Sequence, residues 1–185
     1  MVKFLLNFLL IGIALSQSSE RGNPNYRRLT EIDVNKVRAS IHNFGSSGNS
    51  GVAGSFFYEW PTNSGRSYIA YQALYVGAMV TTDAGEQKPL VTVTHRSDQE
   101  GNSMMWEPVP GYLNPNSTKI AISDDESTWP LYWPDKEGDE NDPGWAGSWN
   151  GYFGKNQFNA GQEIFYKVSD DRNYIVGHPY TPDTT

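Results

Sequence analysis

The residues that could do chemistry crowd into one segment. Between Asp124 and Trp149 the chain sets Asp124, Asp125, Glu126, Asp135, Glu137, Asp139, Glu140 and Asp142 against a single Lys136, with Trp129, Trp133, Trp145 and Trp149 interleaved. Carboxylates this close repel one another, and solvent or a bound cation relieves the repulsion. Calcium takes six to eight oxygens from the carboxylates and carbonyls of flexible loops. The run DKEGDENDPG offers Asp135, Asp139 and Asp142 as calcium ligands, although it lacks the spaced acidic pattern of a helix-loop-helix calcium site. The competing reading is a solvated acidic loop that keeps the protein soluble. The four tryptophans point to a second chemistry, since sugar faces stack on exposed indoles while neighbouring polar side chains bind hydroxyls. Against it stands a plainer role, in which Trp and Tyr fill the core of a domain short of Leu and Ile. Trp60, Trp129 and Trp133 each precede a proline, which holds them extended and suits a structural edge better than a ligand platform.

Other catalytic constellations are missing from the sequence. The chain has no cysteine and no Gly-x-Ser-x-Gly elbow, so nucleophilic catalysis of the familiar kinds has no carrier. Its histidines are His42, His95 and His178, and none has a second ligand at zinc-site spacing. Two carboxylates across a cleft would suffice for a glycosidase, and Glu59, Glu107 and Glu163, each beside aromatics, are the first candidates. With 21 acidic residues, however, their number alone is no evidence. No catalytic residue is assigned. The triplet Asn116, Ser117, Thr118 is a formal N-glycosylation acceptor of little meaning in a bacterial host.

The elements that must position these residues begin after an export signal. Met1, Val2 and Lys3 precede an apolar run from Phe4 to Leu15 of about 12 residues, too short for a bilayer-crossing helix, which needs roughly 20. Ala14 and Ser16 are the small residues expected before a signal-peptidase cut, so residues 1–16 are expected to be a signal peptide and Gln17 the first mature residue. No integral membrane span is then expected. Removal of 16 residues from 185 leaves 169, enough for one domain with a real core. Without cysteine, that core must hold by packing, turns or an ion. A net charge of -7 builds no positive groove for phosphates, which excludes nucleic acid as a partner.

Residues 17–28 lack apolar periodicity and are expected to be a flexible leader. From Leu29, Thr30 and Asp33 could cap a helix carrying Val34, Val37 and Ile41, yet Val37, Ala39 and Ile41 also alternate as in a strand, which is favoured. The tract GSSGNSGVAG from Gly45 to Gly54 has too little apolar surface for anything but a loop. In SFFYEWP, Phe56, Tyr58 and Trp60 share one face of a strand that Pro61 stops. The run Tyr68 to Val80 is the most apolar of the mature chain and the expected core, as a buried strand or pair. Residues 73–94 read as a β-hairpin around Thr82 to Glu86, with further strands at residues 119–123 and 163–169. No long amphipathic helix is apparent. The fold expected is all-β, a sandwich-like or irregular antiparallel domain over residues 29–185 with long aromatic and Gly-rich loops.

The order of an export signal, DVNKVRASIHNFG, SFFYEWP, YIAYQALYVGAMV, and then WPLYWPD through GQEIFYKVSDDRN resembles the N-terminal region of long, uncharacterised exported proteins of Bacteroidota and related bacteria. Many of those end in a type IX secretion sorting domain. The resemblance implies an extracellular, cell-surface or periplasmic location and further β-domains downstream, and it carries over no catalytic residue. This chain stops at HPYTPDTT, so a fragment or a truncated gene is expected. The expected role is a non-enzymatic structural or interaction module of a larger exported protein, with polysaccharide or other surface proteins as partners. The alternative is a carbohydrate-binding or carbohydrate-processing fragment using Trp129, Trp133, Trp145 and Trp149.

Overall fold

The structure, a computed structural model, describes residues 21–48, 51, 53–82, 84–93 and 106–169. The expected signal peptide, the first part of the expected leader, His95 and His178 lie outside the described residues. The fold is all-β: every strand pairing is antiparallel, and the helical pieces among the described residues are single three-residue 3-10 turns. The chain divides into two compact units, one of residues 29–106 and one of residues 1–28 with 107–185.

In the first unit, β1 (Leu29–Ile32) and β2 (Ala39–His42) pair in register from Leu29 opposite His42 to Ile32 opposite Ala39. The strand reading of this segment holds, but as a hairpin. Asn35 explains the turn, its Oδ1 accepting from the Val37 N–H at 2.6 Å, a local bond that competes with helix. Part of the Gly/Ser tract corrects the loop expectation, because β3 (Ser46–Gly48) runs between β2 and β6 (Tyr71–Ala73) in a four-stranded sheet ordered β1-β2-β3-β6. At Gly48 the lack of a side chain is what permits the close approach of β6. Gly48 has φ +82°, and a Cβ on it would sit 2.6 Å from the Ala70 carbonyl oxygen.

Strand β4 (Tyr58–Glu59) pairs with β5 (Ser67–Ile69) just before a cis Trp60–Pro61 bond. The Tyr58 hydroxyl ties the two sheets' residues together, lying 2.6 Å from Ser47 Oγ and donating to Gln72 Oε1 at 2.7 Å. The expected hairpin is present as β7 (Tyr75–Thr81) and β8 (Gln87–Val93). The expectation that residues 68–80 form the core is overturned. Tyr68 is 66% exposed and Met79 62%, with Ile69, Leu74, Tyr75 and Val76 also at the surface. The run forms strands as its β-branched and aromatic content demands, yet among the described residues no further strand pairs with β7 or β8. Among its described residues this unit buries mostly polar side chains, Thr30, Ser40, His42, Asn43, Ser46 and Glu59, with Ala39 and Phe44 beside them.

The second unit holds the aromatic core. Its strands are short pairs: β9 (Glu107–Pro108) with β14 (Val168–Ser169), β10 (Ala121–Ile122) with β13 (Ile164–Phe165), and β11 (Asn150–Gly151) with β12 (Gly154–Lys155). Residues 21–28, expected to be flexible, are bound into it. The Asn23 N–H donates to the Pro108 carbonyl at 2.9 Å, Arg27 grips Glu107 through both ends of its guanidinium fork, and Arg28 Nη1 donates to the Asn114 carbonyl at 2.7 Å. Polar anchors, invisible to hydrophobic periodicity, dock this segment. Val109, Tyr112, Ala121, Trp129, Trp133 and Trp149 form the buried cluster, with Trp145 and Phe165 packed against it.

Candidate functional site

The structure brings the four tryptophans of the acidic segment together, three of them inside and Trp145 half-buried against them. Trp129, Trp133 and Trp149 are buried, Trp133 and Trp149 to 1% exposure. Trp149 sits 5.7 Å from both Trp129 and Trp133 between ring centroids, and Trp133 meets Phe165 edge to face at 5.1 Å. Such offset and edge-on pairs add to the apolar burial itself. Each indole N–H has an acceptor: Trp129 donates to the Ile122 carbonyl at 2.8 Å, Trp133 to Ser148 at 2.7 Å, Trp149 to Glu163 Oε2 at 2.9 Å and Trp145 to Asp139 Oδ2 at 2.7 Å. Trp129 and Trp133 are extended, as their following prolines require. The indoles of Trp129, Trp133 and Trp149 meet other rings and form a core, while the Trp145 ring lies under the Lys136 ammonium.

The acidic residues interleaved with them take up separate structural duties. Asp135 accepts from the Asn150 side-chain amide at 3.0 Å and pairs with Lys136 at 3.1 Å. Asp139 accepts from the Trp145 indole and from the Asn141 and Asp142 N–H groups, and these donors hold its carboxyl below the usual range. Asp142 pairs with Lys155. Asp135, Asp139 and Asp142 therefore each face a different cation or donor. Among the described residues no three His, Asp or Glu side chains are placed to share one metal ion.

The three candidate glutamates lie in different settings. Glu107 is buried and held by Arg27. For Glu163, burial pushes the carboxyl up, but the Trp149 indole and the Asn159 and Ala160 N–H groups outweigh it and hold it low. Glu59 accepts from the Gly65 N–H, the main cause of its lowered pKa, and faces Arg38 at 3.8 Å. A carboxyl held in its ionised form by several donors is poorly suited to act as a general acid near neutral pH. His42 is buried against the Ser46 carbonyl at 3.3 Å, and burial lowers its pKa. Asn116 is exposed in a turn closed by its N–H on Asn114 Oδ1 at 2.9 Å.

One surface feature escaped the sequence reading. Between β11 and β12 a two-residue turn lifts Tyr152 and Phe153 into solvent, 89% and 65% exposed, with ring centroids 4.9 Å apart and edge to face. Leu131, Tyr132 and Phe158 of the same unit are exposed as well. The signal lay in the glycines on either side of the Tyr-Phe pair, Gly151 and Gly154. No family model, curated protein or solved structure matches this chain.

Proposed function

We propose that this chain is a non-enzymatic, exported or surface-associated β-domain that serves as a structural or interaction module of a larger protein, as its likeness to the N-terminal regions of Bacteroidota exported proteins implies. The observation that carries this reading is the distribution of apolar surface. Both units present large apolar side chains to solvent, Tyr68, Tyr75, Met79 and Val91 in one and Leu131, Tyr152, Phe153 and Phe158 in the other. Apolar residues in such density suit surfaces made to be covered. The structural engagement of Glu59, Glu107 and Glu163 supports the non-enzymatic part.

Expression of the full chain in a bacterial host, followed by fractionation and N-terminal sequencing, tests export: a product beginning at Gln17 outside the cytoplasm is expected. An uncleaved product retained in the cytoplasm would overturn it. Turnover by the purified mature chain on a panel of polysaccharides and aryl glycosides would refute the non-enzymatic role. A second reading, carbohydrate binding, draws on the open ring faces of Tyr152 and Phe153. Glycan-array binding that disappears in a Tyr152→Ala, Phe153→Ala variant would support it, and silence on every glycan would remove it.

A further inference from the structure

Hairpin β7–β8 is a two-stranded sheet with no third strand beside it among the described residues. A lone two-stranded hairpin is marginal in water, and three or more strands are normally needed. Its two outer edges are not equivalent. Met79 lies opposite Pro89. Proline has no N–H, so this cannot be a position at which opposed residues exchange both bonds, and it must be a non-hydrogen-bonded pair. The turn gives the same alternation, because the Thr82 N–H donates to the Glu86 carbonyl at 2.8 Å, three steps further along. The backbone N–H and C=O groups of Gly77, Met79 and Thr81 therefore point away from β8.

The outer edge of β8 is protected. Pro89 withholds a donor there, and Lys88 beside it carries an exposed charge. The outer edge of β7 has neither device. Its sequence, YVGAMVT, holds no charge and no proline, and Met79 and Val76 stand exposed along it. An uncharged, unblocked edge beside a blocked one is built to accept one strand and then stop.

We propose that the occupant is β7 of a second copy of this chain, paired antiparallel about a two-fold axis through Met79. In that register the outward groups match: Met79 faces its own counterpart, and Gly77 of each copy faces Thr81 of the other. Isologous pairing of this kind is self-complementary by symmetry. The sheet becomes four strands ordered β8-β7-β7-β8 and ends on two Pro89-bearing edges, so the assembly closes as a dimer rather than growing into a fibre. Charge is compatible as well. The Glu86 turns of the two copies fall at opposite ends of the new pair, and each Glu86 is already matched by Lys88 at 2.9 Å, so a chain of net charge -7 meets itself on a neutral strip. One strand pair is a small contact, at the weak end of protein interfaces, so association that depends on concentration is expected. The inference uses the first unit alone and is independent of export or glycan binding.

Analytical ultracentrifugation of the mature chain, up to about 1 mM, should show a monomer passing to a dimer. Met79→Lys should weaken dimerisation at least tenfold, while Val91→Lys, equally exposed but on β8, should leave it unchanged. Because the chain has no cysteine, a single Met79→Cys gives a direct distance measurement. Across a hydrogen-bonded antiparallel pair the two Cα atoms are about 5.5 Å apart, inside the disulfide range. With diamide as oxidant, Met79→Cys should cross-link at least tenfold faster than Val91→Cys. A chain that stays monomeric throughout, a dimer indifferent to Met79→Lys, or equal cross-linking of the two cysteine variants would each overturn the proposal. Circular dichroism checks that Met79→Lys is folded; if it is not, the cysteine variants, which add no charge at these exposed positions, decide. Export and glycan readouts remain unaffected by any of these outcomes.

Discussion

Trp133→Phe probes whether the indoles form the core on which the second unit depends. The side chain is 1% exposed, meets Trp149 and Phe165 edge to face, and donates its N–H to the Ser148 carbonyl. Phenylalanine keeps an aromatic ring but removes the donor, leaving a buried acceptor unmatched at a cost of about 1–3 kcal/mol. The smaller ring also opens a void, and full truncation to Ala would cost about 3–5 kcal/mol. Between these limits the Phe variant should lose about 2–3 kcal/mol. For a chain of this length each kcal/mol lowers the melting temperature by about 2–4 °C, so a fall of roughly 4–12 °C is expected by calorimetry. Tyr152→Ala, which removes a ring 89% exposed at a turn, serves as the reference and should lie within about 0.5 kcal/mol of wild type. Trp145→Phe should fall between them, because that indole is only half-buried and its acceptor is Asp139. Equal melting temperatures for Trp133→Phe and Tyr152→Ala would refute the assignment of the tryptophans to the core.

Three further perturbations follow from the same geometry. Arg27→Ala leaves the buried Glu107 carboxylate without its partner and should cost about 3 kcal/mol in denaturant unfolding, the low end of the buried-pair range because Arg27 is one-third exposed; an unchanged midpoint would mean residues 21–28 are not anchored. Glu163 is held below its unfolded value of about 4.3, so its contribution is present above that value and is lost as pH falls through the lower folded value. The drop in melting temperature on acidification should therefore shrink in Glu163→Gln. Gly151→Ala would place a Cβ 2.0 Å from the Gln157 carbonyl oxygen and should destabilise by at least about 1–3 kcal/mol, whereas Gly138→Ala meets nothing within 4 Å and should be close to neutral in the same melt.

Strand formation was legible in the residues themselves. The alternation of Val37, Ala39 and Ile41, the β-branched and aromatic run from Tyr68 to Val80, and the Thr82 to Glu86 turn all act locally, and β2, β5 to β8 and the β7–β8 hairpin appear where that chemistry put them. Local physics also shaped the Trp-Pro steps, since the clash of proline with the preceding residue needs no distant partner.

Burial was decided elsewhere. Apolar content marked residues 68–80 as core, yet they lie at the surface, because whether a strand face is covered depends on another element arriving there and no periodicity records that. For the same reason a tryptophan among aspartates reads as a sugar platform or as a core residue, and the burial of Trp129, Trp133 and Trp149 with Phe165 rests on contacts that the sequence does not display. The Gly/Ser strand β3 and the docking of residues 21–28 belong to this class, held by β6 on one side and by Glu107 and Pro108, some eighty residues away, on the other. Side-chain type sets what the backbone does over a few residues; contacts distant in sequence choose which of those surfaces meets water.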